Sequence, residues 1–160
     1  MSFSSVADNF SSQLFHVRDE KASGTDAGSA TTGSYQKRTL NTVMTNEISG
    51  ASLSSSVITL PSGTYYAFGS SPIYNGNQHR IKLRNTSDSS DALLGTTEYN
   101  NNGAYCMTRS IVTGRFTIAS QKNFELQYRV ANDNTGNALG TSSGHSIVEV
   151  YADLQIWKIA

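Results

Sequence analysis

The stretch ITLPSGTYYAFGSSPIYNGNQHRIKLR, Ile58 to Arg84, decides the fold. Its apolar residues come in short runs separated by residues that interrupt extended chain. A first strand ends at Pro61-Ser62-Gly63, a second runs through Tyr66 and Phe68, turn formers fill Ser70 to Asn77, and a third strand reaches Arg84. Proline presets the φ that a turn needs at its first central position, and glycine supplies the positive φ that other residues resist, so these breaks have a physical cause. Three strands in one run imply a β domain, and no catalytic signature lies inside them.

Working outward, Asn123 to Val130 alternates cleanly: Phe124, Leu126, Tyr128 and Val130 face one way, and Glu125, Gln127 and Arg129 the other. That period predicts a half-buried strand. Tyr105 to Ile118 reads as one long strand that includes Cys106, with Gly114 marking a bulge or bend. Ala92 to Thr97 is a short strand, Gln13 to Asp19 a first strand, and Tyr35 to Met44 a weak edge strand. Lys21 to Ser34 and Ala131 to Gly144 consist mostly of small and polar residues and read as long loops, of the kind that is usually functional, mobile or held by a neighbour. No segment sustains helical periodicity. About eight to ten short strands joined by polar turns predict an all-β, antiparallel sandwich or barrel.

The last strand, Ser146 to Lys158, is instructive. Val148, Val150, Ala152, Leu154 and Ile156 share a face suited to a core. The opposite face carries Ile147, Glu149, Tyr151, Asp153, Gln155 and Trp157, too apolar for plain solvent and too polar for a core. Interfaces between subunits are enriched in aromatics, so Ile147, Tyr151, Gln155 and Trp157 are candidate oligomer contacts. The alternative is that Tyr151 and Trp157 cover a neighbouring strand of the same subunit.

Length and composition bound the rest. The chain has 160 residues, enough for one domain with a real core. Residues 1–11 read as a flexible leader and residues 12–160 as a single domain. Twelve basic and twelve acidic residues make up 15% of the chain and balance one another. That balance argues against nucleic acid and polybasic membrane partners, whose binding rests on accumulated positive charge. A single cysteine rules out an intrachain disulfide or a multi-cysteine zinc site. No apolar run has the length of a signal peptide or a membrane span, which suggests synthesis in a cytoplasm and release by lysis or a comparable route.

Candidate chemistry is sparse. His16, His79 and His145 lack metal-ligand spacing, so no metal or other cofactor is expected, and neither a GxSxG elbow nor a phosphate-cradling glycine motif occurs. Glu98, Glu149 and Asp153 supply carboxylates that glycoside hydrolysis would need in a pair, at a distance the sequence does not fix. Arg80, Lys82 and Arg84 share one strand face, either a cationic stripe for an anionic polysaccharide or a solvated face paired with acids on the next strand. Two loop tips place an aromatic ring beside several amides: Tyr74 with Asn75 and Asn77, and Tyr99 with Asn100 and Asn101. Rings stack on sugars and amides bond hydroxyls, so these six residues are the candidate ligand contacts, against ordinary turn chemistry with a Tyr packed beneath.

Several phrases, taken in order, resemble a known family. They are FHVRDEKASGT from Phe15, TLNTVMTNEISGASL from Thr39, TLPSGTYYAFGSSPIYNGNQHRIKLRNTSD from Thr59, RSIVTGRFTIAS from Arg109, FELQYRV from Phe124 and VEVYADLQIWK from Val148. Together they look like the C-terminal domain of many bacteriophage tail-fibre and related virion proteins. That family is similar to the tumour-necrosis-factor (TNF) and complement C1q jelly rolls, sandwiches that form trimers around an axis lined by the first and last strands. The resemblance implies a TNF/C1q-like jelly-roll sandwich and a non-enzymatic homotrimer in a virion, extracellular once released. It would attach to a bacterial surface, through a glycan or a protein receptor, and contact other virion proteins. Alternative readings are a purely structural capsid decoration or assembly domain, and a carbohydrate-binding module or depolymerase fragment.

Overall fold

The computed structural model describes residues 12–101, 103 and 105–160. The expected leader, residues 1–11, lies outside them. The described strands are β1 (Gln13–Lys21), β2 (Gln36–Lys37), β3 (Thr42–Asn46), β4 (Ser52–Ser54), β5 (Val57–Leu60), β6 (Gly63–Tyr74), β7 (Asn77–Asn85), β8 (Ser90–Leu94), β9 (Glu98–Asn100), β10 (Met107–Ile118), β11 (Lys122–Val130) and β12 (Glu149–Lys158). They form two antiparallel sheets. One runs β10-β6-β12-β1-β3; the other runs β4-β5-β11-β7-β8, with β2 added on β11 and β9 on β7.

Sequential strands β6 and β7 lie in different sheets, so the Asn75-Gly76 turn is a corner between layers and not a hairpin. Asn75 takes a left-handed φ of 52° there, which asparagine tolerates better than most residues. The expected loop from Ser70 to Asn77 is thereby corrected: β6 continues through Ser71 and Pro72 to Tyr74. Proline survives because β12 pairs with β6 only as far as Ser70, leaving one side of β6 without a ladder at Pro72.

The core lies between the sheets and follows strand alternation. From β6 come Tyr65, Ala67 and Ile73; from β11 come Phe124, Leu126, Tyr128 and Val130, all buried as the pattern of that strand predicts. Aromatic contacts run through the core: Tyr65 stacks on Phe116 of the neighbouring strand at 5.4 Å between ring centres, and Phe116 meets Phe124 of the opposite sheet at 5.3 Å. Three strand expectations need correction. Gly114 sits in unbroken register opposite Ala67, so β10 has no bulge there. Cys106 precedes β10 and is not a strand residue. Val148 and Val150 are 51% and 38% exposed, outside the core that Ala152, Leu154 and Ile156 enter.

Candidate functional site

The ladder registers define two ends. At one, Gln13 of β1 faces Lys158 of β12, near the turns after β5 and β10. At the other, the long loops 22–35 and 131–148 meet the Asn75-Gly76 corner and Cys106. Backbone hydrogen bonds join them: Ala27 to the Gly140 carbonyl at 2.9 Å, Leu139 to Gly28 at 2.9 Å, Tyr74 to Ala138 at 2.8 Å and Asn75 to Cys106 at 3.3 Å. Glu149 adds a clamp. Its carboxylate accepts bonds from the amides of Gly24 (3.0 Å), Ser143 (3.0 Å) and Gly144 (2.8 Å) and from the Ser143 hydroxyl (2.9 Å). Those donors, Gly24 first, hold the carboxyl at about 2, far below its ordinary 4.5. The apical end is therefore an organised surface built from segments that, as sequence, read only as loops.

The two aromatic-amide tips converge there. In the β7/β9 ladder Asn77 faces Asn100 and Gln78 faces Tyr99. Tyr99 is 59% exposed and Asn101 is exposed, both open to a ligand. Tyr74 is half-buried. So is Asn75, although its Oδ1 is enclosed without a hydrogen-bond partner among the described residues. Asn100 is a correction: it is 2% exposed and its carboxamide is consumed internally. It accepts from the Gly76 amide at 2.8 Å and donates to the Ile73 carbonyl at 2.7 Å, locking the corner and leaving nothing for a ligand.

The remaining candidates separate. Among the described residues no three His, Cys, Asp or Glu gather as a metal site. Glu98 accepts from the Thr96 hydroxyl, Glu149 is the clamp, and Asp153 binds Arg18 (2.7 Å) and His16 (3.0 Å), so each of these carboxylates is engaged in structure. Burial alone would raise the Asp153 carboxyl, but the bonds from His16 and Arg18 outweigh it and hold it below its usual range. On β7, Lys82 and Arg84 both reach Asp91 of the adjacent strand β8 at 2.8 Å, the paired-face reading of that stripe.

A second candidate surface is the outward face of the β10-β6-β12-β1 sheet. Its rungs read Arg115, Tyr66, Trp157, Leu14 and Thr113, Phe68, Gln155, His16. Tyr66 and Phe68 are 43% and 42% exposed, and Ile111 stands one rung along at 36%. Gln155 and Trp157 lie on this face as expected. Tyr151 does not: it is 3% exposed and donates its hydroxyl to the Thr25 carbonyl at 2.7 Å within the subunit. Burial, first of all, pushes that hydroxyl up to about 12. Ile147 is exposed but precedes β12, apart from these rungs. Sequence reasoning missed Tyr66, Phe68 and Ile111, although the alternation Tyr65-Tyr66-Ala67-Phe68 contained the signal.

No protein-family model matches the chain, and no curated protein matches it in sequence. Solved structures do match its shape. The globular domain of zebrafish complement 1qA superposes with a TM-score of 0.60 at 12% identity, covering 93% of this chain and 98% of that one. Murine APRIL superposes at 0.56 and 9% identity, over 92% and 98% of the two chains; its structure at pH 5.0 gives 0.58 at 8% identity over the same shares. Identities this low speak for the fold alone, and the described residues form an antiparallel jelly roll of the C1q and TNF type.

Proposed function

We propose that the chain is a non-enzymatic, homotrimeric attachment domain of a virion appendage of the tail-fibre kind, which holds its apical loops against a bacterial surface glycan. The observation that carries this reading is the row of aromatics on the outward face of the sheet that contains the first and last strands, Tyr66 and Phe68 exposed and Trp157 half-buried beside them. A flat, partly aromatic sheet face suits burial against copies of itself, since interface cores are rich in such residues. Burying it would leave the opposite sheet and the apical loops open. With Gln13 and Lys158 paired at the far end, three copies side by side would present three sets of loops in one direction. Weak contacts at each set then combine by avidity.

The resemblance of its phrases to phage fibre domains motivates the virion setting, and exposed Tyr99 and Asn101 at the apex suit a sugar. The test is attachment of fluorescently labelled protein to a panel of intact bacteria, with purified surface polysaccharide as competitor. Saturable attachment to some strains, displaced by their polysaccharide, is the expected result. Attachment to none, with the trimer intact, overturns the receptor-binding reading in favour of a structural virion component, and shortening of the polysaccharide itself overturns the non-enzymatic one.

A further inference from the structure

On the outer face of the seven-stranded sheet, Arg80 of β7 and Arg129 of β11 stand directly opposite each other in the ladder. Like charges so placed repel and destabilise a sheet. Their neighbours along the same strands are balanced: Arg84 faces Glu125, and Lys82 reaches Asp91. Arg80 and Arg129 are not. Among the described residues neither forms an ion pair, Arg80 spends only its Nε, on the Gly95 carbonyl at 2.9 Å, and exposed Arg129 makes no side-chain bond. Both line a cleft of about 400 Å³, within the range of small-ligand sites, whose lining includes Tyr35, Gln78, Thr32 and no carboxylate. Two acids next in sequence to residues near the cleft already accept hydrogen bonds, Asp133 from the Thr32 amide and Glu98 from the Thr96 hydroxyl.

The rest of the cleft is suited to a sugar. Tyr35 lies over Lys82, with the ammonium 4.0 Å from the ring centre, which fixes the ring against the cationic row. Tyr99, opposite Gln78 in the β9 ladder, stands beside the rim with its ring open. Amide, hydroxyl and aromatic groups thus surround two uncompensated guanidinium groups. We propose that this cleft is a subsite for an acidic saccharide, with Arg80 and Arg129 binding its carboxylate or phosphate together. The repulsion between the arginines is relieved when the anion enters, because guanidinium groups pair with such oxygens by charge-assisted hydrogen bonds. The inference rests on the attachment function above and names the chemistry of its ligand.

The trimeric protein is titrated calorimetrically with oligogalacturonate, with its methyl ester, and with glucose 1-phosphate. Binding of oligogalacturonate, of the sugar phosphate or of both, without binding of the ester, is expected, and which of them binds separates carboxylate from phosphate. Arg80→Gln and Arg129→Gln should each weaken binding by about tenfold or more, the worth of one charged hydrogen bond. Lys122→Gln, which removes the same charge at the opposite end of that sheet, should leave binding unchanged. Arg129→Gln should also melt at or above the parent temperature, since it removes a repulsion, so lost binding cannot be laid to unfolding. Equal binding of the ester, unaltered binding in both arginine variants, or no binding of either anionic probe overturns the proposal. Bacterial attachment that survives both substitutions sinks this subsite and leaves the attachment function standing; a parent that binds oligogalacturonate yet attaches to no cell does the reverse.

Discussion

Arg38 and Asp19 meet in the interior, both without solvent exposure, with a guanidinium nitrogen 3.1 Å from the carboxylate. The contact is ionic and lacks the angles of a hydrogen bond. Arg38 is held further by the Ser71 hydroxyl at 2.9 Å and the Leu139 carbonyl at 2.8 Å, while Lys21 approaches Asp19 from the other side at 3.0 Å. One buried charge therefore pins β1, β6 and the 131–148 loop together. Burial is the main influence on the guanidinium and lowers it to about 10, with Asp19 pulling the other way.

Removing one partner leaves the other charged and enclosed. Arg38→Met should cost about 3–5 kcal/mol in urea unfolding, and Asp19→Asn a similar amount. The double variant Asp19→Leu with Arg38→Met should recover much of that loss, because it removes the desolvated pair altogether. If the double variant is no more stable than either single one, the pair is not a mutual charge balance.

Glu149 gives stability a pH dependence. Its carboxyl titrates at about 2 when folded against 4.5 ordinarily, so the folded state favours the ionised form. That contribution is complete above pH 4.5 and disappears as pH falls through 4.5 towards 2. Melting followed across this window should show a decline that Glu149→Gln flattens, together with faster amide exchange at Gly24 and Gly144 in the variant. An unchanged acid limb in Glu149→Gln would assign the decline to other carboxylates.

Asn100 separates structure from recognition. Asn100→Ala strands the Gly76 amide and the Ile73 carbonyl, both bonded to its buried carboxamide, and should destabilise by about 1–3 kcal/mol. Tyr99→Ala, its exposed neighbour, should leave unfolding nearly unchanged and weaken cell attachment. The opposite pairing of effects would restore Asn100 as a ligand contact.

The legible parts of this fold are those where one residue decides one face. β11 alternates without interruption and every inward residue was readable. β12 was misread at Val150 because its pairing with β1 slips between Arg18 and Glu20, and an extra residue there breaks the period of two on which face assignment depends, while Val148 precedes the strand altogether. Tyr151 falls beyond that slip, which is why it turns into the subunit while Gln155 and Trp157 stay outside. Asn100 and Asn101 are the same residue type in one run; only the ladder to β7 shows that the first is enclosed and the second open. The Arg38–Asp19 pair had no sequence signal, since nineteen positions separate its members and nothing in composition marks an arginine as buried. The Arg80–Arg129 opposition likewise needs the register between two strands far apart in sequence.

In the proposed trimer the aromatic face of the first-and-last-strand sheet is buried between three copies. Light scattering on a size-exclusion column tests it most directly, with Phe68→Glu run beside the parent. A mass of three chains is expected for the parent and of one chain for the variant, which places a charge at the centre of the Tyr66, Phe68 and Trp157 surface. A parent that elutes with the mass of one chain at every concentration contradicts the trimer and the avidity that depends on it.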